Sequence, residues 1–78
     1  MWIRYEDYIF NIVKILPREE DGTLQLRFVC SDGGYENIDY ETKQDRGTEI
    51  DEILKAIDEK CGHYELSFCL GKPIAIKG

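Results

Sequence analysis

The chain has 78 residues, 42% of them hydrophobic and 33% charged, with sixteen acidic against ten basic side chains and a net charge of −6. That composition is globular rather than disordered, and at this length it makes one small domain burying roughly 60% of its unfolded surface. No apolar run approaches the ~20 residues of a membrane span, the opening MWIRYED is charged where a secretory signal must be apolar, and an acid-rich surface suits neither nucleic acid nor an anionic membrane.

Residues 2–5 read as a short strand and Glu6-Asp7 as a turn. Residues 8–16, YIFNIVKIL, are rich in β-branched and aromatic side chains and stop at Pro17, which predicts a second strand. Its apolar residues fall on both faces, Tyr8, Phe10, Ile12 and Leu16 on one, Ile9, Val13 and Ile15 on the other. A strand covered on one side alternates more cleanly, so this one is expected to curl into the core or to lie under a second layer. Residues 18–22 end in Asp-Gly and form a hairpin loop. Residues 23–30 then alternate, with Leu24, Leu26, Phe28 and Cys30 inward. Ser31-Asp32-Gly33-Gly34 is a turn whose glycines accept positive φ. Residues 35–42 return with Ile38 and Tyr40 on one face and Asn37, Asp39 and Glu41 on the other.

A helical period runs over residues 48–61, TEIDEILKAIDEKC. Ile50, Ile53, Leu54 and Ile57 fall at i, i+3, i+4 and i+7, one stripe of an amphipathic helix that Cys61 extends. Thr48 is the expected N-cap, with Asp51 three residues on as a weaker capping box, and Gly62 the expected left-handed C-cap behind Lys60. Residues 63–70 predict another strand with Tyr64, Leu66, Phe68 and Leu70 aligned. Gly71-Lys72-Pro73 turns, and a last strand over 74–77 lies at an edge, because Pro73 cannot donate a ladder bond. The expected fold is α+β: a single domain over 1–78, an antiparallel sheet of chain order β-β-β-β-α-β-β packed against one amphipathic helix.

Chemistry-bearing candidates are few. Cys30, Cys61, His63 and Cys69 match a zinc ligand set by count, but no Cys-x-x-Cys pair exists and buried cysteine commonly serves as a small apolar residue. The odd cysteine number points to reduced thiols. A Cys61–His63 pair lacks an orienting third group, Ser31 and Ser67 lack a nucleophile context, and Asp32-Gly33-Gly34 precedes a strand where a phosphate loop precedes a helix. No catalytic residue, metal or cofactor is assigned.

The acids are unevenly placed. Net charge is −2 over residues 1–35, −6 over 36–59 and +2 over 60–78. Asp39, Glu41, Glu49, Asp51, Glu52, Asp58 and Glu59 form the expected partner-binding surface, with Lys55 among them. Carboxylates spaced along one surface can imitate a phosphate track and draw on electrostatically steered association with a basic protein. The bland alternative is a solvated helix face on which Asp51–Lys55 is an i,i+4 pair. A different expectation is a homodimer through Trp2, Tyr8, Phe10, Ile74 and Ile76, using sheet edges or outer faces.

The opening Met1-Trp2-Ile3-Arg4, with a strand-rich body and one late amphipathic helix, resembles small uncharacterised proteins of Gram-positive bacteria and their phages. The resemblance covers the first residues and the general layout, and it implies no site residues. It implies an accessory product of a phage or mobile element, by analogy with compact acidic inhibitors of the anti-CRISPR and anti-restriction kind. The resulting expectation is a non-enzymatic protein-binding inhibitor of a nucleic-acid-binding host defence protein. It would act in the cytoplasm, the host cell's if phage-encoded.

Overall fold

Four strands, a helix and a fifth strand succeed one another in a computed structural model that describes residues 1–70. They are β1 (Trp2–Tyr5), β2 (Tyr8–Glu20), β3 (Thr23–Cys30), β4 (Tyr35–Tyr40), α1 (Lys43–Asp58) and β5 (His63–Glu65). The expected last strand, with Ile74 and Ile76, lies outside the described residues. The strands form one sheet in the order β4-β3-β2-β1-β5. Neighbours are antiparallel except β5, which runs parallel to β1.

Strand β2 is the spine of the sheet. Its residues Tyr8 to Asn11 pair with β1, and from Ile12 to Glu20 it pairs with β3. A register shift between Ile12 and Lys14 places a bulge at Val13, close to where β2 passes from one neighbour to the other. The bulge also shifts the alternation. Ile12 stays buried, while beyond it Ile15 is half-buried and Leu16 exposed, against the expectation that Leu16 shares the face of Ile12. The β2–β3 hairpin closes on Asp21 and Gly22, both at positive φ (52° and 80°), the mirror-image turn that matches sheet twist.

The core draws on nearly every element: Ile3 and Ile12 with Leu26, Phe28, Ile38 and Tyr40 of the sheet, Ile53 of α1 and Leu66 beyond β5. Fully burying side chains of this size contributes about 1.5–3 kcal/mol each. Phe10 packs toward this core, its ring 6.0 Å from that of Phe28.

The helix starts earlier than its hydrophobic stripe suggests. Thr42, not Thr48, is the N-cap, its Oγ1 accepting from the Asp45 amide at 3.0 Å. At the far end the Lys60 amide donates to Ile57 and the Cys61 amide to Ala56, both bonds of a Schellman motif. The left-handed residue in that motif is Lys60 (φ 60°), where Gly62 was expected.

The larger correction is rotational. The buried helix residues are Glu49, Ile53 and Ala56, whereas Leu54 and Ile57 are exposed. At about 100° per residue, the buried face is turned roughly 80° from the stripe Ile50–Ile53–Leu54–Ile57.

Candidate functional site

Glu49 explains the rotation. Its side chain is completely buried, and both carboxylate oxygens accept hydrogen bonds. Oε1 accepts from the Tyr40 hydroxyl at 3.1 Å and the Phe68 amide at 3.0 Å; Oε2 accepts from the Tyr64 hydroxyl at 2.6 Å and the Ser67 amide at 3.2 Å. A buried carboxylate is tolerated when its lone pairs are filled in this way. The cage also ends the strand expected over 63–70. The Ser67 and Phe68 amides turn toward Glu49, so β5 stops at Glu65, with Phe68 and Leu70 left partly exposed. Burial, then the adjacent Glu49 charge, pushes the Tyr40 phenol well above its ordinary 10; burial and the hydrogen bond to Glu49 do the same to Tyr64. The carboxylate itself is fully buried while Ser67 and Phe68 reach the surface, and the four donors it gathers from β4, β5 and the segment beyond make it a structural anchor for α1.

Glu49 is therefore removed from the expected partner surface. Asp39 is removed too, by the pleat of β4. In the β3–β4 ladder Leu26 opposes Ile38 within the core beside Ile53, so Gln25–Asp39 and Arg27–Asn37 project from the face opposite α1. There the Gln25 amide donates to Asp39 at 2.9 Å, and Arg27 donates to Asn37 while lying 3.9 Å over the Tyr35 ring. Glu41 is exposed in the short link before Thr42.

Four of the seven acids remain together. Asp51, Glu52, Asp58 and Glu59 are all exposed, three at positions within α1 and Glu59 at its C-cap. Among the described residues none of them has an ion-pair partner within 4.0 Å, Lys55 included; the pair found there is Arg18–Glu20.

Next to these carboxylates the structure opens an apolar groove of about 350 Å³ between α1 and β2. Ile12, Val13 and Ile15 form one wall, Ile50, Leu54 and Ile57 the other, with Lys14 in the lining. Its lip faces water: Val13 is 69% exposed, Leu54 57% and Ile57 50%. Asp51 and Asp58 stand three residues before and four after Leu54, so they border this strip on the helix surface. Exposed apolar surface with a charged border is the usual composition of a protein-binding site.

The remaining candidates are not assembled into sites. Among the described residues no three His, Cys, Asp or Glu side chains come together as metal ligands, so Cys30, Cys61, His63 and Cys69 do not converge. Burial, with Asp32 and Glu36 adding to it, pushes the Cys30 thiol up from its ordinary value. In the 31–34 turn the Gly34 amide is taken by the Asp32 side chain at 2.9 Å and the Gly33 amide by the Cys30 carbonyl, which leaves neither for a phosphate. Trp2 and Tyr8 are exposed, as the dimer expectation requires, whereas Phe10 packs inward. No described helix is long and apolar enough to cross a membrane. No known protein family, curated protein or solved structure gives a significant match to this chain.

Proposed function

We propose that the protein is a non-catalytic interaction module that binds a basic protein through the exposed acidic face of α1. On this reading it serves as a phage or mobile-element inhibitor of a nucleic-acid-binding host defence protein. The observation that supports it most is the set Asp51, Glu52, Asp58 and Glu59, exposed on one surface and without ion pairs among the described residues. Charges left unneutralised and carried on a rigid helix steer a basic partner and confer specificity more than raw affinity. The test is competition: the protein is titrated against a basic nucleic-acid-binding defence protein and its nucleic acid, at several salt concentrations. Displacement should weaken steeply as salt rises, and Asp51→Lys with Glu52→Lys should weaken it about tenfold at an unchanged melting temperature. Displacement indifferent to both salt and reversal refutes the reading.

A homodimer is the second reading, favoured by the exposure of Trp2 (50%) and Tyr8 (63%) on the first hairpin. Light scattering that shows a concentration-independent monomer removes it.

A further inference from the structure

We infer that the groove between α1 and β2 receives a basic amphipathic helix of the partner protein, so that recognition is apolar at its centre and ionic at its border. This rests on the acidic-face reading above and adds to it the chemical form of the partner's binding segment.

Three observations carry the inference. The groove walls are aliphatic and its lip residues Val13, Leu54 and Ile57 are at least half exposed, so an occupant would remove apolar surface from water at about 25 cal/mol per Å². Second, the β2 wall is a poor template for strand addition. It carries the bulge at Val13, a lysine at position 14 and a proline at 17, the devices by which sheet edges resist pairing. Side chains rather than a main-chain ladder must then fill the groove, and a helix presents apolar side chains on one stripe. Third, Asp51 and Asp58 are seven residues apart, two turns and about 10.5 Å along the helix axis. A partner helix lying alongside α1 meets both with Lys or Arg residues at the same seven-residue spacing. Charge complementarity also decides against a second copy as occupant, because packing α1 on α1 would oppose two rows of carboxylates at a net −6 per chain.

The probe is a synthetic amphipathic helix with Leu on one face and Lys on the other. Its controls are a peptide with Glu replacing Lys and one with Ser replacing Leu. Binding is followed by amide chemical-shift mapping and titration calorimetry on the full chain. Leu-Lys peptide should shift the amides of residues 12–15 and 50–58, and both controls should bind about tenfold more weakly or worse. Leu54→Gln with Ile57→Gln should lose about tenfold in affinity even at about 0.5 M salt, where exposed charges are screened within a few Å. Both substituted residues are at least half exposed, so circular dichroism melts should match the parent and separate lost binding from lost folding. If the Gln variant binds as the parent does while Asp51→Lys with Asp58→Lys abolishes binding, the groove inference fails and the acidic-face reading stands. Indifference to both sets of substitutions overturns both. Concentration-dependent shifts at residues 13, 54 and 57 in the absence of peptide would assign the groove to a second copy and overturn the inference as well.

Discussion

Replacing Glu49 tests the central structural argument, that a buried carboxylate sets the orientation of α1. Glu49→Ala removes the acceptor from the hydroxyls of Tyr40 and Tyr64 and from the amides of Ser67 and Phe68. Each donor left buried and unpaired costs about 1–3 kcal/mol, and water can reach the part-buried amides more readily than the Tyr40 hydroxyl. A total of about 3–5 kcal/mol follows from the four donors, the two amides counting for less than the hydroxyls. A domain of this size is stable by roughly 0.05–0.15 kcal/mol per residue, so the variant should sit near the edge of folding. Glu49→Gln is the informative companion. It keeps one oxygen toward the two amides and offers its NH₂ to a tyrosine hydroxyl, which rotates to accept. Only the charge-assisted share is lost, about 1–2 kcal/mol. Equilibrium urea unfolding followed by far-UV circular dichroism measures both, provided the dependence on urea is unchanged. A Glu49→Ala cost under about 1 kcal/mol, or a Gln variant as unstable as the Ala variant, would refute the account.

Raised phenol pKa values make the fold alkali-sensitive: the stabilisation from Tyr40 and Tyr64 is whole below their ordinary value near 10 and declines as pH climbs toward their folded-state values. Urea midpoints should therefore be level between pH 7 and about 9 and fall above about pH 10, with a shallower fall in Tyr64→Phe; a midpoint independent of pH up to about 11 contradicts this. Gly47 lies inside α1 with open space where a Cβ would project, so Gly47→Ala should add about 1 kcal/mol, read as a higher melting temperature. Lys60 holds the left-handed position of the Schellman motif, and Lys60→Gly should add about 0.5–1 kcal/mol after the greater freedom of glycine in the unfolded chain is allowed for; a loss of stability would show that the lysine side chain has a contact role.

Local chemistry was legible in the sequence where it is self-contained. Asp21-Gly22 and the turn at 31–34 are set by residues that tolerate left-handed backbone or fold an aspartate onto a nearby amide, and both turns lie where expected. Strand β2 nevertheless continues through Pro17 to Glu20, so the first is a two-residue turn rather than a loop over 18–22, and of the glycines at 33 and 34 only Gly33 takes positive φ. The helix was legible as a period but not as an orientation. Thr42-x-x-Asp45 has the same spacing as Thr48-x-x-Asp51, and the earlier pair caps the helix although Gly47 lies between them. Apolar periodicity does not reveal the buried face, because it cannot register a carboxylate whose donors come from residues 40, 64, 67 and 68, remote in the chain and adjacent only after folding. The strand pattern 37–39–41 did place Asp39 opposite Ile38. What it lacked was the side of the sheet on which α1 packs, and that separates Asp39 from the helix acids.

The anchor and the proposed binding surface are two consequences of one rotation. With Ile50, Ile53, Leu54 and Ile57 all turned inward, α1 would bury more aliphatic surface and leave Glu49 in water. Instead four donors stabilise Glu49 in the interior, and the helix is held about 80° round from the position its apolar stripe alone would select. Leu54 and Ile57 are thereby carried to the lip of the groove, beside Asp51 and Asp58. A small domain gives up about 1.5–3 kcal/mol of core for each large aliphatic residue it keeps outside. Polar networks that forgo apolar burial while fixing one arrangement are a recognised source of conformational specificity. In this chain the arrangement they fix is a rigid helix presenting aliphatic and acidic residues side by side, the pairing that recognition of a basic amphipathic segment requires.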